Sequence, residues 1–278
     1  MSRMGNAIMA ALAGATLVAS VATTRAQDVA SEPSVRNVVL VHGAFADGSG
    51  WRGVYDELIG RGYRVTIVQN PLTSLADDVA ATNRALDRQD GPIILVGHSW
   101  GGTVITEAGV DPKVAGLVYV AALSPDAGQT TADLYQGYTT PPEFVLETAD
   151  DGFGFVKPDT FKAGFAADTE DADAAFMRDS QVPINLSAFA TTLHNAAWRT
   201  KPSWAVFGTE DKAFDQRMLH AMAERIGAEV TEVAASHSIF TTQPKVVAEV
   251  IDKAARQVSA DTADGADEAA PDGMSQSQ

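Results

Sequence analysis

Apolar residues recur along this chain with a regular rhythm, short β-branched runs alternating with longer segments of helical spacing. Asn37–Val41 reads Asn-Val-Val-Leu-Val, and Ile93–Val96 reads Ile-Ile-Leu-Val. Continuous apolar runs of this length, bounded by turn residues, predict strands buried on both faces. Tyr63–Val68, Val114–Val120, Ser203–Gly208 and Glu229–Val233 complete a set of six. Between them the apolar positions shift to helical spacing. Trp51, Val54, Tyr55, Leu58 and Ile59 form one stripe, stopped by Gly60 and Gly62. Leu75–Leu86 forms another behind a Ser74 cap, with Asp77 and Asp78 in the first turn where the helix dipole favours acids. Further helices are predicted from Gly101 to about Ala108, over Asp215–Ile226, and over Gln243–Val258 with Pro244 at its start. Strands alternating with helices at this pitch imply an α/β fold: a mostly parallel six-stranded sheet with helices on both faces.

The rhythm breaks from Ser124 to about Arg199. This stretch is rich in Pro, Gly and Asp and carries ten aromatic residues, from Tyr135 to Trp198. A connection this long is functional or a subdomain of its own. It reads as a mostly helical cap, residues 124–199, inserted after the fourth strand between core segments 27–123 and 200–258. Most of its aromatics are expected to bind cap to sheet, and a minority to face a ligand. Residues 259–278 are Ala, Asp, Ser and Gln with Met274 as the one large apolar side chain. They read as a disordered acidic tail.

Residues 1–26 read as a leader rather than as part of the fold. Arg3 gives a basic start, Ala7–Ala22 is an apolar run of small residues, and Thr24-Arg25-Ala26 offers small residues at both positions a signal peptidase reads. The run is short and dominated by Ala, which disfavours a membrane anchor. Cleavage after Ala26 removes Arg3 and Arg25 and takes the net charge from −16 to −18. An exported chain without cysteine folds without disulfides, and the expected location is periplasmic or secreted. The same acidic balance excludes nucleic acid and, after signal cleavage, an anionic membrane surface as partners.

Candidate chemistry begins where the Ile93–Val96 strand ends. Gly97-His98-Ser99-Trp100-Gly101 fits Gly-x-Ser-x-Gly, a strand-to-helix turn that exposes a nucleophilic serine and leaves no room for side chains beside it. A serine hydroxyl needs a base to accept its proton, and the base needs a third group to hold its tautomer. Ser99, Asp211 and His237 supply these groups in that chain order, each just beyond the end of a predicted strand, the rim where open parallel sheets bind ligands. Glu210 and Asp126 are alternative carboxylates. The oxyanion requires two backbone donors, assigned to Trp100 and to Phe45 of His42-Gly43-Ala44-Phe45, with Ala44 as the alternative to Phe45. His42 is expected to shape that loop, His98 to pack against the sheet, His194 to pack within the cap, and His220 to lie on a solvated helix face. Gly48-Ser49-Gly50-Trp51-Arg52-Gly53 matches a dinucleotide fingerprint, but it starts six residues too late after its strand and no acidic residue ends the next one. No His, Asp and Glu cluster has metal-ligand spacing, so neither metal nor cofactor is expected.

These motifs, with Ser124-Pro125-Asp126-Ala127-Gly128, Gly208-Thr209-Glu210-Asp211 and Ser236-His237-Ser238, resemble the compact α/β-hydrolases that include bacterial carboxylesterases, plant methylesterases and hydroxynitrile lyases. The resemblance spans roughly residues 37–258 and implies an α/β-hydrolase fold and a serine esterase; the aromatic residues of the cap imply a small hydrophobic aryl or alkyl ester as substrate. Hydroxynitrile lyases of this group carry Lys after the catalytic His and Thr where this chain has Gly43; here Ser238 follows His237, so the lyase's cyanide-stabilising charge is missing. Perhydrolase chemistry with the same triad, and a non-catalytic small-molecule-binding relative, are the alternatives.

Overall fold

The computed structural model describes residues 34–268, so the leader read over residues 1–26 and the last ten residues lie outside it. Six strands form the main sheet: β1 (Asn37–Val41), β2 (Arg64–Val68), β3 (Ile93–His98), β4 (Val114–Val120), β8 (Ser203–Gly208) and β9 (Glu229–Val233). Their order across it is β2-β1-β3-β4-β8-β9, with every neighbouring pair parallel. Every residue of β1, β3 and β8 is buried, as their unbroken apolar runs require. The edge strands are more polar, and β9 reads Glu-Val-Thr-Glu-Val with no residue fully buried. Polar edges discourage pairing with a further strand.

Helices α1 (Arg52–Gly60), α2 (Leu75–Asp87), α3 (Trp100–Ala108), α6 (Gln216–Arg225) and α8 (Pro244–Glu268) follow the strands in alternation, with the one-turn α7 (Ile239–Thr242) just before α8. Ser74 caps α2 by accepting from the Asp77 N–H at 3.1 Å. The glycine-rich stretch 48–53 is a 3₁₀ turn leading into α1, with Trp51 buried and the Gly48 N–H bonded to Gln69 Oε1 at 3.1 Å. Its glycines leave room for Gln69, Phe240 and Pro244, which a Cβ at Gly48, Gly50 or Gly53 would meet within 3.0 Å. After β1 the chain adds β2 on one side, then crosses to place β3 on the other. The ends of β1 and β3 therefore flank the switch point of the sheet, the place where open α/β sheets form a crevice.

Two features go beyond the expectations. The segment between β4 and β8 carries strands as well as helices. Alongside α4 (Pro158–Phe165) and α5 (Asp171–Asp179) it holds a three-stranded antiparallel sheet of β5 (Leu146–Thr148), β6 (Phe153–Val156) and β7 (Ile184–Asn185). Alternation in Phe153-Gly154-Phe155-Val156, buried at Gly154 and Val156, is the strand signal, but at two to four residues each these strands are too short to stand out in sequence. The last helix also runs ten residues beyond Val258. Ser259 continues the helix by donating to Ala255 O at 2.6 Å and accepts from the Val35 N–H at 3.2 Å.

Candidate active site

Ser99 sits at φ 52° and ψ −119°, a left-handed conformation that only the surrounding structure can hold in a non-glycine residue. Its carbonyl accepts from the Gly102 and Leu123 N–H groups at 2.9 and 3.1 Å, and its N–H donates to Val120 O at 3.2 Å. The turn is crowded on every side. A Cβ at Gly101 would lie 2.5 Å from Val41 O, and one at Gly43 would lie 2.8 Å from the Ser99 Cβ. Only glycine lets the loop after β1 come this close to the serine.

His237 is 1% exposed and follows β9. Its Nδ1 lies 2.7 Å from Asp211 Oδ2. The second carboxylate oxygen of Asp211 accepts from the Ala213 and Phe214 N–H groups at 2.7 and 3.1 Å, so the turn after β8 holds the acid as firmly as the imidazole does. Glu210 points to solvent, and Asp126 is ion-paired to Arg199 at 2.7 Å. Of the three carboxylates weighed from sequence, only Asp211 contacts the histidine. The Ser99 hydroxyl makes no hydrogen bond among the described residues and lines a cavity instead.

His98 joins the serine turn to the histidine loop. Its Nε2 lies 3.1 Å from His237 O and its ring centroid 4.7 Å from that of His237, a link between distant residues that no local sequence pattern signals. Burial first, and then the neighbouring His237 ring, hold His98 well below the usual histidine range, so it stays neutral. The cap also fastens this loop: the Ser238 N–H donates to Phe165 O at 3.0 Å, Thr169 and Ser238 hydroxyls meet at 3.1 Å, and Ser236 is bonded to Asp168. Phe165 and Phe214 close over His237 edge-on, 5.0 and 4.8 Å away. His42 shapes its loop through Nε2, which accepts from the Asn70 N–H at 2.8 Å. His194 is exposed rather than packed, and His220 lies half-exposed 3.6 Å from Glu232.

Phe45 has φ 62° and shares the cavity wall with Ser99 and Trp100. Trp100 opens α3, so its N–H has no acceptor within the helix. The Phe45 N–H is bonded to no other backbone group among the described residues. The cavity holds about 580 Å³ and is walled by aromatic rings, chiefly Phe45, Trp100, Tyr135, Phe144, Phe189 and Phe214, with no charged side chain in its lining. Three of the ten cap aromatics therefore face it, while Phe161 and Phe165 are buried and Phe176 is exposed. A second hollow of about 370 Å³ shares Phe45 but opens among Asp47, Arg52 and Asp173, away from Ser99.

The alpha/beta hydrolase family model matches residues 38–250. The chain belongs to this family. A carbendazim hydrolyzing esterase of Nocardioides sp. (strain SG-4G) is 32% identical over 108 residues, covering 34% of this chain. The match spans 45% of that relative's length. Among solved structures, polyneuridine aldehyde esterase superposes with a TM-score of 0.69 at 18% identity, covering 78% of this chain and 98% of its own. A pyrethroid hydrolase from Sphingobium faniae JZ-2 gives 0.68 at 21%, covering 80% and 98%. At these identities the superpositions establish the α/β-hydrolase fold. No helix among the described residues is long and apolar enough to cross a membrane.

Proposed function

We propose that this chain is an exported serine carboxylesterase acting on a small hydrophobic aryl or alkyl ester. The observation that supports this reading is a strained serine turn whose neighbour His98 reaches the loop of a buried imidazole–carboxylate pair. Asp211 at Nδ1 leaves Nε2 as the base. His237 then takes the Ser99 proton as the hydroxyl attacks the ester carbonyl, a contact that tightens when substrate is bound. The amides of Phe45 and Trp100 receive the oxyanion. Collapse expels the alcohol, protonated by His237, and leaves an acyl-Ser99 ester that water, activated by the same ring, hydrolyses.

The uncharged aromatic cavity supports an apolar acyl or aryl group and disfavours a carboxylate-bearing one, whose desolvation nothing there would offset. Among similar proteins, esterase names agree with this reading. The leader pattern of residues 1–26 supports a periplasmic or secreted enzyme, checked by N-terminal sequencing of the mature protein. A fluorophosphonate probe and a panel of p-nitrophenyl esters of graded acyl length test the chemistry. Labelling confined to Ser99, with turnover lost in Ser99→Ala, is the expected result; labelling elsewhere or undiminished turnover overturns it.

A further inference from the structure

Asp78 is a carboxylate for which the proposed mechanism has no use, yet it is completely buried. It stands in the first turn of α2, and both its oxygens are occupied by neutral donors. Oδ2 accepts from the Trp100 indole Nε1–H at 2.8 Å, and Oδ1 accepts from the Leu72 N–H at 2.8 Å. Leu72 is itself held at φ 57°, and its carbonyl accepts from the Asn185 N–H of cap strand β7 at 2.9 Å. One side chain thus ties together a core helix, the residue after the proposed nucleophile and, through Leu72, the cap.

No ion pair with Lys, Arg or His neutralises Asp78 among the described residues. Burial raises its carboxyl to about 6, against the opposing pull of the two hydrogen bonds. A buried carboxylate without a cation is an expensive way to fill space, since an apolar side chain would do so at lower cost. The position of its partner supplies a reason. Trp100 lines the cavity beside Ser99, its buried indole backs the cap residue Phe189 of the same wall with ring centroids 5.0 Å apart, and its amide is one of the proposed oxyanion donors.

We propose that Asp78 is a positioning residue of this site: its bond to the Trp100 indole fixes the aromatic wall beside Ser99 and, with it, the orientation of the Trp100 amide toward the oxyanion. The proposal rests on the esterase reading. An indole free to turn would alter the cavity shape and loosen the first residue of α3, and small misplacements of a donor are costly to an acyl transfer.

Two variants remove the bond from opposite ends. Asp78→Asn keeps the shape and one acceptor, but its amide nitrogen then faces a second donor, so Leu72 and Trp100 cannot both be satisfied. Trp100→Phe removes the indole N–H and retains an aromatic wall. Each is compared with wild type and with the double variant by the rate of Ser99 phosphonylation, by kcat and KM across short and long acyl esters, and by Tm. Each single variant is expected to lower phosphonylation and kcat by about tenfold and to raise KM most for the larger esters. The double variant should lose no more than about twofold beyond the worse single, because both act through one bond. A drop in Tm with phosphonylation and kcat within twofold of wild type overturns the proposal, as does a double-variant loss equal to the product of the singles. Should Asp78→Asn fail to fold, the phosphonylation rate and kcat of Trp100→Phe decide by the same thresholds. Wild-type protein that no probe labels at Ser99 would instead overturn the esterase reading, and this proposal with it.

Discussion

His237 Nδ1 lies 2.7 Å from Asp211 Oδ2, and neither side chain is more than 1% exposed. The carboxylate that holds the imidazole is itself held by two backbone N–H groups, so its orientation survives loss of the histidine. Asp211→Asn would keep the shape and present the wrong group to Nδ1, reversing the ring's tautomer. The expected outcome is a loss of kcat of about 10³- to 10⁴-fold with a folded protein, read from ester hydrolysis beside a thermal melt. Glu210→Gln and Asp126→Ala should stay within about twofold of wild type, since one is in solvent and the other forms an exposed ion pair worth at most about 1 kcal/mol.

Ser99 stores backbone strain. Replacement by alanine removes the hydroxyl but keeps the φ of 52°, whereas glycine adopts it freely. Ser99→Gly is therefore expected to be more stable than Ser99→Ala by about 1 kcal/mol, measured by urea unfolding, while both are inactive.

Phe144 meets Phe45 edge-on across the cavity, with centroids 6.2 Å apart. Phe144→Ala opens space where a longer acyl chain can lie. The ratio of kcat/KM for long over short p-nitrophenyl esters should rise several-fold, and an unchanged chain-length profile would show that the acyl group lies elsewhere.

The buried carboxyl of Asp78 makes stability depend on pH. Its folded value of about 6 stands above the ordinary 3.8, so the folded chain binds this proton more readily than the unfolded one. That contribution is fully present below about pH 4 and is lost as pH rises through 6, a change of about 3 kcal/mol. Asp126, held low by its bond to Arg199, titrates the opposite way, so the comparison must be between variant and wild type at each pH. Asp78→Asn should gain in stability relative to wild type between about pH 4.5 and 7.5, measured by urea unfolding at both.

Most of the fold is legible in sequence because its signals are local. Buried parallel strands announce themselves as unbroken apolar runs, and the boundaries of β4, β8 and β9 follow from composition alone. The serine turn is equally local, since its glycines answer to backbone crowding within a few residues and from the neighbouring strand end. The cap is less legible. Strands of two to four residues carry too few positions for a period, and they pair only because β6 finds β5 and β7 beside it.

Sequence by itself determined the α/β sheet, the serine turn and the chain order of hydroxyl, carboxylate and imidazole, because strand pattern and glycine spacing are written in contiguous residues. Sequence favoured Asp211 over Glu210 and Asp126, but only the tertiary structure shows which of the adjacent pair contacts the His237 ring. The two are adjacent and chemically alike, and they differ only in that the Ala213 and Phe214 amides turn one of them inward toward a ring 26 residues further on. It likewise decided that Asp78, which in sequence is one of two acids in a helix first turn, is buried against Trp100. Hydrogen bonds between distant residues follow from how helices and loops pack, and no local pattern encodes that packing.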